Sequence, residues 1–336
     1  MTSRKISIAF QTNKTASDYV HLAKLVNQYP FDLVSVYCDA PFHPSYGPLL
    51  LMAPYIERAR LGPAAVSPFR IHPIDIAANT ALLAGIAQGG VYIGLARGAW
   101  LEEHSIREPK YPITGIREAA IIVRKLLSGQ KAGYDGKVFQ IKDHVIAPYP
   151  LPNETIPLLI GTWGKKMAVT SGEIADEVKI GGSANPKMVQ YLRKFIHEGE
   201  KHSGRPSGEV ELVIGAVTVV DQDRELARQI ARMEVSLYLP VVASLDPTFE
   251  IEPELIERIQ HKFRESDRRG TAELISDEIL DRFAFSGNVN DILYQCNELF
   301  SAGADRIEFG TPHGQIQAEG IRLLGENVVP NLVNHR

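Results

Sequence analysis

The sequence predicts an α/β protein, a (β/α)8 TIM barrel with insertions that spans residues 1–336 as a single domain. Three observations predict it. Short β-rich runs alternate with longer stretches of helical period from end to end, eight such runs can be counted, and no compositional break divides the chain. Most of the runs are continuously apolar, as parallel strands covered on both faces are. A doubly wound sheet normally stops at five or six strands, so eight repeats favour a closed barrel.

In chain order the strands are KISIAF (5–10), DLVSVY (32–37), ARLGPAA (59–65), VYIGLA (91–96), PLLIG (157–161), EVKIG (177–181), ELVIGAVTV (211–219) and RIEFG (306–310). Helical period is clearest at 17–28, 73–87, 116–129, 186–204 and 291–303. Pro73 and Pro186 suit a first helical turn, and Gly129, Gly204 and Gly303 suit helix ends. Two excursions interrupt the repeat. YDGKVFQI (134–141) predicts a hairpin turned at Asp135-Gly136, within an excursion near 131–142. The charged, Pro-interrupted helical stretch near 240–282 is an insertion of the kind that covers a barrel mouth.

Lys plus Arg is 36 and Asp plus Glu is 40, a net charge of −4 that gives no broad basic footprint for nucleic acid or an anionic membrane. A small-molecule partner is expected. The apolar run from Ile6 to Gln11 is too short for a signal sequence or a membrane span, which predicts a cytoplasmic protein. Cys38 and Cys296 match no redox or metal spacing and read as reduced thiols. No convergent His/Asp/Glu set has ligand spacing, so no metal is expected.

In barrels of this kind functional groups follow the strands. GTWGKKM (161–167) lacks the spacing of a Walker loop. It offers a strand end, two glycines and a helix N-terminus whose free N–H groups favour an anion. Gly181, Gly182 and Ser183 form a second glycine-rich turn ahead of the Pro186 helix. Asp39 follows the second strand, where it could accept a hydrogen bond or form a turn. Arg97 could clamp an anionic group and Trp100 could cover a ring or substrate; the alternative is an Arg–Glu surface pair with Glu102 or Glu103 over a buried tryptophan. His72 and His313 could transfer protons or hydrogen-bond a ligand, or cap and pack.

ARLGPAAVSPFRIHPIDIAANTALL (59–83) resembles the third strand and helix of the bacterial luciferase-like flavin and deazaflavin enzymes. VYCDAPFHPSYGPL (36–49), GLARGAWLEEHSI (94–106) and SGNVNDILYQCNELFSAGADRIEFGTPHG (286–314) extend the likeness over nearly the whole chain. IPLLIGTWGKKMAVTSGEIADEVKIGGSANPK (156–187) is similar to the matching region of methylenetetrahydromethanopterin reductases. The resemblance implies a barrel that binds coenzyme F420, an 8-hydroxy-5-deazaflavin, or FMN at its C-terminal mouth. It implies a hydride-transferring oxidoreductase, with an FMN-dependent monooxygenase as the alternative and a homodimer as the assembly.

By position, the resemblance also implies a non-prolyl cis peptide at Ala64-Ala65 that backs the ring, with Asp39 at the ring's polar edge. The coenzyme's phosphate would lie near Gly161, Thr162, Trp163, Gly164 and Lys165 and near Gly181–Ser183. Asp39, Arg97 and His72 are then the catalytic candidates, and Arg97, Trp100 and His313 the substrate-binding ones. Two departures stand out. Ala99 replaces the glutamate that the family's glucose-6-phosphate dehydrogenases place there, and LAGIAQGG (83–90) lacks the charges of the usual segment. They argue against sugar-phosphate chemistry and keep open a non-catalytic paralogue that binds a ligand or dimerises.

Overall fold

The structure, a computed structural model, describes residues 4–333. Its strands are β1 (Lys5–Phe10), β2 (Leu33–Val36), β3 (Arg60–Pro63), β4 (Ile93–Leu95), β5 (Tyr134–Asp135), β6 (Gln140–Ile141), β7 (Leu158–Gly161), β8 (Glu177–Gly181), β9 (Glu211–Val220), β10 (Ala284–Gly287) and β11 (Arg306–His313). Eight of them run side by side and parallel in the order β3-β2-β1-β11-β9-β8-β7-β4. Bridges Leu61↔Val91 and Val66↔Leu95 join the two ends and close the barrel. All eight expected strands are present, because each is an apolar run buried on one side by helices and on the other by the barrel's own interior.

The helices are α1 (Ala16–Val26), α2 (Tyr46–Met52), α3 (Pro73–Ala84), α4 (Pro112–Leu127), α5 (Lys165–Ile174), α6 (Pro186–His202), α7 (Arg224–Val242), α8 (Pro253–Arg264), α9 (Arg268–Ala272), α10 (Asp277–Phe283), α11 (Val289–Ser301), α12 (Gln317–Leu323) and α13 (Val329–Val333). Local chemistry sets several of their starts. Thr15 with Asp18 and Asn288 with Asp291 form capping boxes on α1 and α11, and Asn185 caps α6 directly before Pro186. No helix among the described residues is long and apolar enough to cross a membrane.

Three details differ from the sequence expectation. The hairpin pairs Asp135 with Gln140, so its loop is the four residues Gly136–Phe139 and not a tight Asp-Gly turn. Glu118 of α4, 4% exposed, holds that loop by accepting the N–H groups of Lys137, Val138 and Phe139 at 2.8, 2.9 and 2.8 Å. Helix α7 continues through Pro240 to Val242, and α8, α9 and α10 pack against it around Ile259, Ile275, Leu280 and Phe283. The third difference is β10, which no run in the sequence predicted. β8 leaves the sheet at Gly181, where Gly182 N–H and Ser183 N–H both donate to the Gly215 carbonyl, and β10 pairs with β9 from Val217 upward.

The β3–β4 seam has no room for a side chain at Gly94, where a Cβ would lie 1.9 Å from the Pro63 carbonyl oxygen. Gly94→Ala is expected to destabilise the protein by about 3 kcal/mol or more, whereas Gly47→Ala, in open space inside α2, should be neutral or stabilising by up to about 1 kcal/mol. Paired denaturant unfolding curves check this. Equal losses at the two sites would contradict it.

Candidate active site

The inward face of the barrel is identified by Leu33, Tyr92, Leu159 and Val213, which pack together as a cluster separate from the outer core. Because side chains alternate along a strand, the residues two positions away share that interior. At the base Arg306, fully buried, donates to Glu177 at 2.5 Å, and Arg60 lies 3.3 Å from the same carboxylate. Burial alone would raise the Glu177 carboxyl, but Arg306, Arg60 and Lys5 outweigh it and hold it below its ordinary value.

Above that layer Lys179 of β8 pairs with Glu308 of β11, their side chains 7% and 0% exposed. The pair crosses over β9, where a Cβ on Gly215 would meet Lys179 Cε at 3.2 Å and Glu308 Cβ at 3.3 Å. Glycine is needed there by contact. Ser35 Oγ donates to Glu308 Oε2 at 2.6 Å and lies 2.8 Å from the Tyr92 hydroxyl, which is 3.0 Å from the Gly62 carbonyl. Tyr37 turns its ring toward Lys179, 5.4 Å from Nζ, and burial followed by Glu308 and Asp39 pushes its hydroxyl far above the ordinary range. The sequence contained a signal for this cluster. EVKIG and RIEFG each put two charges two residues apart in strands buried on both faces, so those charges must meet inside.

Toward the C-terminal rim the interior becomes nearly free of side chains. Ala64, Ala96, Gly161 and Gly181 continue the inward series at the ends of the neighbouring strands β3, β4, β7 and β8, the first three partly exposed and Gly181 exposed. A Cβ on Gly161 would lie 3.3 Å from that of Ala96. The Ala64-Ala65 peptide is cis, at the expected position, with Ala64 N–H donating to Val36 O at 2.8 Å and Val66 N–H to Gly94 O at 2.9 Å. Asp39 rises beside this floor from β2, accepting from Gln11 Nε2 at 3.3 Å. Burial raises its carboxyl above the ordinary range, against the pull of Gln11, Arg70 and Lys179.

The remaining candidates fall in three groups. Arg97 is 52% exposed and pairs with Glu108 at 3.3 Å, so the surface pair exists, but with Glu108 and not with Glu102 or Glu103. Its carbonyl accepts from Ser67 Oγ at 2.5 Å, tying the β4 loop to the β3 loop, and Trp100 stands in that loop at φ +55° with its carbonyl 2.7 Å from His104 Nδ1. His72 caps α3: its exposed ring accepts from Ile74 N–H at 3.3 Å and meets Phe139 edge-on. His313 corrects the expectation of substrate contact. It is fully buried, its Nε2 3.2 Å from Phe309 O and its Nδ1 3.1 Å from Gln317 Nε2, with both ring nitrogens engaged in the wall.

The two anion-friendly turns also separate. In GTWGKKM the Thr162 N–H is taken by Lys179 O at 2.9 Å and the Gly164 N–H by Thr162 Oγ1 at 3.0 Å, while Trp163 Nε1 donates to Gly181 O at 2.9 Å. Donors for an anion therefore shift from Gly161–Gly164 to the first turn of α5, which has no side-chain cap among the described residues and carries exposed Lys165 and Lys166. The Gly181–Ser183 turn does not fit a phosphate. Gly182 and Ser183 donate to Gly215 O, Asn185 N–H to Ser183 Oγ at 3.2 Å, and the buried Asn185 side chain caps α6 while its amide bonds Asp246 and Thr248 of the insertion. A flat ligand with one phosphate-bearing tail fits the remaining features: small residues for the ring, an uncapped helix start for the tail.

Fold and mouth together define a luciferase-like (β/α)8 barrel. The chain belongs to the luciferase-like monooxygenase family, whose sequence model matches residues 4–306. It is 28% identical to the 5,10-methylenetetrahydromethanopterin reductase of Archaeoglobus fulgidus over 98% of this chain and 99% of that one. It is 24% identical to the F420-dependent glucose-6-phosphate dehydrogenase of Microbacterium testaceum over 82% and 79%. Among solved structures the coenzyme F420-dependent tetrahydromethanopterin reductase of Methanopyrus kandleri superposes with a TM-score of 0.90, at 24% identity over 98% of this chain and 99% of that one.

Burial holds the His313 imidazole at about 3, far below its ordinary 6.5. Between these values the unfolded chain binds a proton that the folded one excludes, so stability is complete above about pH 6.5 and falls as pH drops toward 3. The slope from this group is at most about 1.4 kcal/mol per pH unit. His313→Asn should be less stable at pH 7 yet lose stability less steeply on acidification, by about one proton in the linkage. Urea unfolding from pH 7 to pH 4 measures this, and parallel acid limbs would rule it out.

Proposed function

We propose that the protein is an F420-dependent oxidoreductase that passes hydride between C5 of the deazaflavin and a small organic substrate. The observation that carries the reading is the row Ala64, Ala96, Gly161, Gly181 across four adjacent strand ends, a floor of methyl groups and bare backbone that would admit a flat ring. The first turn of α5, with Lys165 and Lys166, would hold the phosphate. The bound coenzyme supplies the hydride chemistry, and the chain's part is positioning and electrostatics. Asp39, kept above the ordinary carboxyl range by burial, would orient the ring's polar edge or carry a proton. Arg97 and Trp100 at the β4 rim would meet the substrate, Arg97 exchanging Glu108 for an anionic group. His72 and His313 take no part in this reading.

Relatives named as F420-dependent glucose-6-phosphate dehydrogenases support the coenzyme assignment. Ala99 argues against a sugar-phosphate substrate. An FMN-dependent monooxygenase is the second reading, favoured by the family's name and by a phosphate end that the two coenzymes share. We further propose that the whole chain acts as one cytoplasmic domain and assembles as a homodimer.

Titration of the purified protein with F420 and with FMN, followed by coenzyme fluorescence, separates the readings. Micromolar binding of F420 and at least tenfold weaker binding of FMN are expected. FMN binding alone would move the protein to the monooxygenases, and binding of neither would make it a non-catalytic barrel. Lys165→Glu combined with Lys166→Glu should weaken F420 about three- to thirtyfold, each charge near a helix N-terminus being worth roughly 0.3–1 kcal/mol.

A further inference from the structure

The buried charges beneath the mouth are not required by packing. An ion pair in a barrel interior stabilises no better than apolar side chains of its size, so stability alone does not account for Lys179 and Glu308. Their arrangement is directional. In the β8–β9 register Gly181 and Gly215 are the next inward pair toward the rim from Lys179 and Val213. Lys179 Cε lies 3.2 Å from the Cβ position of Gly215 and 4.0 Å from that of Gly181, so its stem runs mouthward over two glycines. Glu308 is wholly buried and held by Ser35, and its Cβ and Oε1 lie 3.3 and 3.4 Å from the same Gly215 position. Of the pair, Lys179 is the one that also comes within 4.0 Å of the Gly181 position.

β2 climbs beside this pair. Its inward residues meet, in turn, Glu308 through Ser35, Lys179 through the Tyr37 ring, and the rim through Asp39, with Gln11 beside it and Arg70 in its field. The floor of small residues begins directly above.

We propose that the Lys179–Glu308 pair sets the electrostatic potential of the mouth, and that Lys179 is a positioning residue that favours the reduced, electron-rich form of a redox coenzyme bound above it. The inference rests on the proposed function, since it needs a ring that changes its electron count in the mouth. Two-electron reduction adds charge density to such a ring, and a cation held nearby in a water-poor interior stabilises that form more than the oxidised one. Glu308, of opposite charge, opposes the effect. Loss of Lys179 leaves Glu308 and Asp39 to face the ring; loss of Glu308 leaves Lys179 unbalanced. The two losses act in opposite directions, which a packing defect would not do.

The test is the midpoint potential of F420 bound to the wild type, Lys179→Met, Glu308→Gln and the double variant, by equilibration against a dye of known potential. Lys179→Met should weaken the reduced form at least tenfold more than the oxidised form, a fall of about 30 mV for a two-electron couple. Glu308→Gln should raise the potential, and the double variant should lie between the single ones. Shifts of the same sign in both single variants, or less than threefold discrimination in both, overturn the inference while leaving the proposed function intact. If Lys179→Met does not fold, an unchanged potential in Glu308→Gln and in the double variant overturns it equally. A wild type that binds FMN and not F420 is measured with FMN. A wild type that binds neither overturns the proposed function, and the inference with it, before any variant is needed.

Discussion

The contact on which much of this barrel depends is the pairing of β8 with β11 across β9, through Lys179–Glu308 above and Glu177–Arg306 below. Each charge taken alone would be a buried, uncompensated ion, which costs several kcal/mol. The two pairs therefore fix the relative height of three strands, because a two-residue slip of β8 would set Lys179 beside the wrong partner. Gly215 follows from the crossing, Ser35 from the second oxygen of Glu308, and Tyr92 from the hydroxyl of Ser35. A small set of polar residues thus specifies a register that apolar strands leave loosely defined.

The same polar layer divides the interior by function. Below it the barrel is plugged by Leu33, Tyr92, Leu159 and Val213 and by the Arg306 network; above it the inward positions at the ends of β3, β4, β7 and β8 shrink to alanine and glycine, with Tyr37 and Asp39 beyond β2 as the larger exceptions. On those four strands the change occurs within one or two residues. A rigid base can therefore carry a mouth whose walls are mostly backbone, which suits a ligand recognised by its flat face and its tail.

How much of this the sequence disclosed depends on the kind of signal. Strands such as KISIAF and EVKIG were legible to the residue because an apolar run between polar turns has few other uses. β10 was not, since AFSG follows a charged helical stretch and pairs with β9 only where β8 has departed, a fact of three-dimensional register. The loop residues were legible as positions and not as contacts. The cis bond stands at Ala64-Ala65, where the family resemblance put it. His313 and the Gly181–Ser183 turn, which composition presents as exposed donors, prove to be committed to the wall, His313 by burial and the neighbouring Phe309 and Gln317, the turn by Gly215, which lies far away in sequence. Helix α5 kept its open end because Gly164 brings no side chain to close it.

The replacement of β8 by β10 has a consequence for how the rim can move. From β3 round to β4 the sheet is an unbroken run of ladders, closed by two bridges, but near the mouth it is interrupted between the departing β8 and the arriving β10. The gap is spanned by two N–H groups converging on Gly215 O, by Ala184 N–H on Arg282 O, and by the Asn185 bonds to Asp246 and Thr248. Such a join yields at a handful of contacts, whereas a ladder resists along its whole length. Toward β8 the corner that carries α8, α9 and α10 is thus held by few bonds, whereas the β10 ladder and the apolar cluster around α7 bind it to β9 along a broad face.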